Sequence, residues 1–308
     1  MSAWPVDFII AAPFYSSRSG GIMVLHQLCT ALNQLNFRAS IVFITEGSQH
    51  SQNFKFAYSD NSAFYDPIGL FYDFTSDRSQ GEIDRYVRNS FIIYPDIIKG
   101  NPLMGRGFST YVLGRPAFPI DSMFTIAFSK LYIDKYDYLL CKSFISEWMH
   151  ARDTMHWSHR KLSLTYIGKG QDYIECSIIP GTVLIERDWP RDKRQLAALL
   201  RNCKYFFSWD TVSATNTDAV MCGAVPVLMH DRQISRDKLR QAENGAFPVI
   251  EYFSGMQDQL PANQSEIDSA ILDMQNRSAS LMQDWKFRVE GFVEAVKTHL
   301  ENVPLRDI

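Results

Sequence analysis

The chain has 308 residues, room for two domains at ~150 residues each. Apolar residues make up 46 % and charged residues 21 %, a globular composition that excludes a disordered chain. Lys and Arg number 31 against 34 Asp and Glu, a formal charge of -3, which argues against a nucleic-acid binder working through a general basic field. The five cysteines, Cys29, Cys141, Cys176, Cys203 and Cys222, form no CxxC pair and lie mostly in apolar or helical stretches. They are expected to be reduced structural thiols of a cytoplasmic protein, with no metal site. No apolar run approaches the ~18 residues of a spanning helix. The opening run FIIAAP reads as a buried strand, not as a signal peptide.

In chain order, Asp7 to Pro13 is a continuous apolar run with a proline stop, as in a strand buried on both faces of a parallel sheet. A small polar loop, Ser16 to Gly21, leads into a helix with Leu25, Leu28, Leu32 and Leu35 on one face. Ala39 to Thr45 is the next buried strand, closing one βαβ unit. Residues 46–88 are weakly patterned and read as loops with minor elements. Ser90 to Tyr94 is a strand stopped at Pro95. Asn101-Pro102 predicts the opening of a helix that Gly114-Arg115-Pro116 closes. Strands follow at Met123 to Phe128 and Tyr138 to Leu140.

The polar, His-rich run MHARDTMHWSHRK suggests a domain boundary near residues 150–160. The α/β alternation then restarts. Strands are predicted at 162–167, 182–185, 205–208, 225–229 and 247–252, with helices at 192–202 and 216–222. Two helices finish the chain, one carrying Ile267, Ile271 and Met274, the other Trp285, Val289, Phe292, Val296 and Leu300. The last is expected to pack back on the body of the protein. Two parallel-sheet halves imply a cleft, and ligands of open α/β sheets sit beyond the carboxyl ends of the strands.

The most specific stretch is KYFFSWDTVSATNTDAVMCGAVPVLM, from Lys204 to Met229. Asp210 lies on the loop after a strand, and Asp218, eight positions on, falls in the following short helix. Unpaired N–H groups at that helix's N-terminus, around Thr215 and Asn216, suit a phosphate. Carboxylates beside it can accept hydrogen bonds from sugar hydroxyls. The alternative is an N-cap aspartate and a first-turn aspartate that stabilise the helix. Upstream, Gly168-Lys169-Gly170 ends a strand with a flexible cationic loop.

A carboxylate, seven residues, a second carboxylate, then Ala-x-x-Cys-Gly-x-x-Pro-Val resembles the nucleotide-sugar site of GT-B glycosyltransferases with the E-x7-E motif, both acids here being Asp. The resemblance implies a GT-B-like fold of two Rossmann-like parallel-sheet domains facing a cleft. It implies an N-terminal acceptor domain over 1–150, a donor domain over 151–280 and a helix over 281–308 returning to the first domain. Asp210 would contact the transferred sugar and Asp218 the nucleotide ribose. Gly168 and Lys169 resemble the family's Tyr-x-Gly-Arg element at the donor diphosphate. Arg187, in Arg-Asp-Trp-Pro, resembles a bacterial subgroup's base-binding turn; it would reach phosphate or stack on the base, or simply lie on the surface. Trp189 is expected to be buried between helix and strand. Gly20 and Gly21 match the family's glycine loop near the diphosphate, and His26 belongs with a helical His-x-Leu. Tyr94-Pro95-Asp96 with Gly100-Asn101-Pro102 resembles a further element of that subgroup, making Asp96 a candidate for orienting or deprotonating an acceptor hydroxyl, or else a turn residue. The implied reaction is transfer of a sugar from a nucleotide-diphospho-sugar to a glycan or lipid-linked saccharide, probing the inner face of a membrane where the acceptor is a lipid. It needs no metal and no cofactor, and retention of configuration is implied. A nucleotide-sugar epimerase and a non-catalytic glycan-binding scaffold are the alternatives.

Overall fold

The computed structural model describes residues 7–48, 50–58, 65–67, 69–144, 146–152, 154–170, 175–186, 189–210, 213–229, 252–253 and 264–302. The chain divides into two compact units, Met1–Lys142 with Gln283–Ile308, and Ser143–Met282. The boundary after Lys142 comes ahead of the His-rich run at 150–160.

Unit 1 holds strands β1 (Phe8–Ala12), β2 (Ala39–Glu46), β3 (Lys55–Ala57), β4 (Phe91–Pro95), β5 (Gly107–Val112), β6 (Phe124–Ala127) and β7 (Tyr138–Leu139). Their order across the sheet is β3-β2-β1-β4-β5-β6-β7, and every pair is parallel except β2 with β3. The apolar runs FIIAA and FIIYP of β1 and β4 are buried throughout, as central parallel strands require. Helix α1 (Gly20–Gln34) starts at Ser19, whose Oγ accepts from the Ile22 N–H, and buries Leu25, Leu28 and Leu32.

Two elements of this unit escaped the sequence reading. Residues 107–112 form a strand, not part of a helix. A Cβ on Gly105 would lie 2.4 Å from Ile92 Cγ1, and one on Gly107 would lie 2.8 Å from the Phe91 ring. The glycines let this segment lie flush beside β4, and the β-prone run Phe-Ser-Thr-Tyr-Val follows them. The second is helix α2 (Gln80–Asn89), opened by a capping box between Ser79 and Glu82 and buried through only Ile83 and Val87.

Unit 2 holds β8 (Leu162–Tyr166), β9 (Val183–Ile185), β10 (Cys203–Ser208), β11 (Val225–Leu228) and β12 (Tyr252–Phe253), all parallel, in the order β12-β11-β10-β8-β9. Most of the strand predicted at 247–252 lies outside the described residues. Its helices are α3 (Lys193–Asn202), α4 (Ala214–Met221) and α5 (Gln264–Gln283). Leu196 and Leu200 of α3, Ala219 and Val220 of α4, and Ile267, Ile271 and Met274 of α5 belong to one core with Leu164, Phe206 and Val225 of the sheet.

The last helix, α6 (Trp285–Asn302), belongs to unit 1. Its Phe292 ring packs 6.2 Å from Phe8 and 6.1 Å from Phe124, centroid to centroid. The Tyr138 hydroxyl donates to the Arg288 carbonyl at 2.9 Å, an approach that Gly291 permits, since a Cβ there would lie 2.5 Å from that oxygen. Two Rossmann-like parallel-sheet units, with the final helix returned to the first, make a GT-B-like fold. Among the described residues no helix is long and apolar enough to cross a membrane.

In each sheet the strand order reverses once. Chain order runs outward from β1 to β2 and then back across to β4; in unit 2 it runs from β8 to β9 and back to β10. Loops leaving the carboxyl ends of β1 and β4, and of β8 and β10, therefore lie where open α/β sheets hold their ligands.

Unit 2 also encloses Arg160. Its guanidinium donates to the carbonyls of Met155, Cys203, Cys222 and Gly223 at 2.8–3.2 Å and to Thr154 Oγ1 at 3.1 Å. Cys203 and Cys222 are the C-caps of α3 and α4, so one cation serves the carbonyl ends of both helices. Replacing Arg160 by Met strands these carbonyls and should cost about 3 kcal/mol or more. Arg160→Lys should recover only part, because an ammonium lacks the planar fork. Urea-unfolding midpoints measure both.

Candidate functional site

At the reversal in unit 2 the loops after β8 and β10 are locked together. The Trp209 N–H donates to the Tyr166 carbonyl at 2.8 Å, and the Lys169 N–H donates to Asp210 Oδ2 at 3.0 Å. Gly168 has φ +54°, in the left-handed region, and a Cβ there would lie 2.7 Å from Asp210 Oδ2 and from the Tyr166 ring. A Cβ on Gly170 would lie 2.5 Å from the Trp209 carbonyl oxygen. The Gly-Lys-Gly sequence is thus dictated by a backbone-to-backbone contact, and it leaves the Lys169 side chain exposed. The structure brings Gly168, Lys169 and Asp210 together.

Helix α4 begins four residues beyond Asp210. Ser213 caps it by accepting from the Thr215 N–H, and its own N–H donates to the Asp210 carbonyl at 3.2 Å. Asn216 is fully buried and donates from Nδ2 to that same carbonyl at 2.9 Å. Its side chain holds the loop that carries Asp210, while Thr215 is half-buried on the first turn.

Asp218 has a different partner. Its carboxylate is 5 % exposed and bound by Lys193 Nζ at 2.5 Å, from the first residue of α3. Burial pushes the Asp218 carboxyl above its ordinary range and the Lys193 ammonium pulls it back part of the way. Sequence reasoning missed Lys193. Its signal was local: a cation at a helix N-terminus opposes the helix dipole, and the acid of the neighbouring helix compensates.

Arg187 lies outside the described residues. Trp189 is 42 % exposed, against the burial expected of it. The main chains of Glu186 and Trp189 exchange hydrogen bonds at 2.9 and 3.3 Å.

At the reversal in unit 1, Asp96 follows β4 and is buried. Its Oδ2 accepts from the N–H groups of Leu113 and Gly114 at 3.2 and 2.9 Å, tying the end of β4 to the end of β5. Gly21 is beside that tie, its absent Cβ 3.6 Å from Leu113, and a Cβ on Gly20 would meet nothing within 4 Å. Neither glycine has a positive φ, so neither strain nor protein packing calls for it, although each weakens the helix by about 1 kcal/mol relative to alanine. Tyr94 and Asn101, from the same motif, are architectural. The Tyr94 hydroxyl donates to Asn101 Oδ1 and accepts from the Leu103 N–H, and Asn101 also clasps Gly105.

His26 is buried, and its two nitrogens are assigned by their partners. Nδ1 accepts from the Asp66 N–H at 3.2 Å, so Nε2 carries the proton and donates to the Pro13 carbonyl at 3.1 Å. Burial lowers its pKa. Near it are Tyr15, 5.3 Å away between ring centroids, and the buried Asp66, whose charge also acts on Lys142. Lys142 lies 4.7 Å above the Trp285 ring, and burial brings its pKa down to about 8. Nothing in the weakly patterned stretch around Asp66 marks it in the sequence. Among the described residues no group of three or more His, Cys, Asp or Glu side chains is placed to hold a metal ion.

No family model matches the chain, and no curated protein matches it in sequence. Solved structures similar to it include a glycosyltransferase from Rickettsia africae, at 8 % identity and TM-score 0.48 over 97 % of this chain and 99 % of that one. CalG4, the calicheamicin glycosyltransferase, has 10 % identity and TM-score 0.40 over 97 % and 99 %. MurG of Acinetobacter baumannii has 9 % identity and TM-score 0.32 over 92 % and 94 %. Likeness at this level assigns no activity.

Gly170→Ala should push the cationic loop off Trp209 and cost about 1–3 kcal/mol, measured by denaturant unfolding. For His26 the sign follows from a folded-state pKa below the unfolded value of about 6.5. The unfolded chain binds the proton first, so stability is complete above that pH and declines as pH falls through it. Unfolding free energies at pH 7.5 and 5.5 should show this decline, with a flatter slope in His26→Gln.

Proposed function

We propose that this chain is a glycosyltransferase that uses a nucleotide-diphospho-sugar donor, held by unit 2, and an acceptor hydroxyl of a glycan or lipid-linked saccharide, held by unit 1. The observation that carries this reading is the pair of interlocked loops at the β8/β10 reversal. There an exposed lysine and the start of α4 are both tied to the half-buried Asp210, through the Lys169 N–H on its carboxylate and Asn216 Nδ2 on its carbonyl.

The chemistry asks for such a set. The bond between the sugar's anomeric carbon and the diphosphate breaks, a bond to the acceptor oxygen forms, and the acceptor's proton is lost. The leaving diphosphate takes up negative charge, which Lys169 and the positive end of α4 beside Thr215 and Asn216, whose N–H groups donate to Ser213, are suited to stabilise without a metal. Gly168 fixes the turn that presents Lys169. Asp210, already oriented by the Lys169 N–H, is assigned to the sugar, and Asp218 to the ribose. Arg187 is retained as a contact to base or phosphate. In unit 1, Gly20 and Gly21 leave the main chain at the start of α1 open to a phosphate. Asp96, whose Oδ2 is engaged by two amides, shapes the acceptor side and orients the incoming hydroxyl. Retention of configuration is the expected stereochemistry, read from the anomeric proton coupling of the product.

The direct test is a thermal-shift screen against UDP, GDP, CMP and dTDP. A nucleotide at a hundred times its Kd adds about 2.7 kcal/mol to stability, a rise in Tm on the order of 5 °C. No shift with any of the four overturns the donor assignment. Asp218→Ala should weaken nucleotide affinity about ten- to hundredfold, the worth of hydrogen bonds to a charged acceptor. Asp210→Ala should leave that affinity within a few-fold and lower kcat by about a hundredfold or more. Equal, negligible effects of the two changes would remove both roles.

A further inference from the structure

Lys193 has no part in the scheme so far, and its position calls for one. It is the first residue of α3, and its side chain crosses to α4 to meet Asp218 at 2.5 Å. The two ends differ in exposure: the carboxylate is 5 % exposed and the lysine side chain 34 %. A buried acid supplied with one partly solvated cation is a poor device for stability alone, because taking both charges out of water offsets most of their attraction.

We propose that Lys193 is a positioning residue for the donor site, holding the Asp218 carboxylate ionised and engaging Oδ2 so that its other oxygen is presented to the ribose hydroxyls. This rests on the donor reading above. A carboxylate accepts strongly from a hydroxyl only while it is ionised, and burial opposes ionisation. Lys193 is the cation acting on Asp218 from α3. On α4 itself the neighbouring titratable group is Cys222, whose thiol is pushed up to about 12 by burial and by Asp218, and is therefore neutral. Arg160 and Arg201 act on Cys222. With Lys193 removed, the proton that Asp218 takes up on acidification should arrive at higher pH.

The experiment is calorimetric binding of UDP, GDP and dTDP between pH 5.5 and 8.5 to the native chain, K193Q, K193R and D218N. Native affinity should fall on acidification. K193Q should move that fall upward by about one pH unit, an approximately tenfold loss at pH 7 that is recovered near pH 8.5. K193R should keep the native profile, and D218N should be flat. 2′,3′-Dideoxyuridine diphosphate, which offers no ribose hydroxyl, should bind native protein and K193Q equally. A loss in K193Q that is the same at every pH, or is shared by the dideoxy compound, makes Lys193 a packing residue and overturns the proposal. Should K193Q not fold, the K193Q/D218N double variant, which buries no charge here, replaces it. Binding equal to D218N alone supports the proposal, and a further loss overturns it. If the native chain binds none of the three diphosphates, the donor reading itself fails. If it binds them and K193Q keeps the native pH profile, only the role of Lys193 fails.

Discussion

The structure turns on the contact between the loop after β8 and the loop after β10. Parallel strands deliver their carboxyl ends to one edge of a sheet, but nothing in that geometry makes neighbouring loops meet. Here they meet because two side chains are missing. Gly170 lets the main chain reach the Trp209 carbonyl, and Gly168 makes room for the Asp210 carboxylate. From that contact follow the outward course of Lys169, the orientation of Asp210 and, through Asn216, the start of α4.

Charge is handled differently in the two units. In unit 2 Asp210, on the loop, is half-buried, whereas Asp218, eight positions further on, is buried and leans on a lysine from the adjacent helix. In unit 1, Asp96 is spent on two main-chain amides and His26 on a carbonyl and an amide, so both are committed to holding loops where β1 and β4 end. Residue type alone would have made each of them a proton carrier. Their partners make both of them fasteners, and the acceptor role proposed for Asp96 comes in addition to that hold.

Much of the architecture was legible because buried parallel strands write themselves as apolar runs, as in FIIAA, FIIYP and VPVL. Strand β5 was not, because Asn101-Pro102 and the nearby glycines imitate a helix start and stop, while their actual work is a clasp around Tyr94 and a close approach to Ile92. Helix α2 was hidden by having only two buried apolar positions. At the site, the spacing of Asp210 and Asp218 could be read, but not that one is half-buried beside the Lys169 amide and the other is ion-paired to a lysine. That distinction depends on Lys193, 25 positions upstream of Asp218, which only the packing of α3 on α4 brings near.

The guanidinium of Arg160 has one more implication. Its counter-charge is spread over peptide carbonyls and a threonine hydroxyl, none of which titrates, and the arginine keeps its own proton at any working pH. Enclosed and lacking a mobile ionic partner, this junction is shielded from dissolved electrolyte. This junction should therefore be indifferent to acidity and ionic strength, so any such sensitivity of unit 2 has its origin in other groups, the Asp218–Lys193 pair among them.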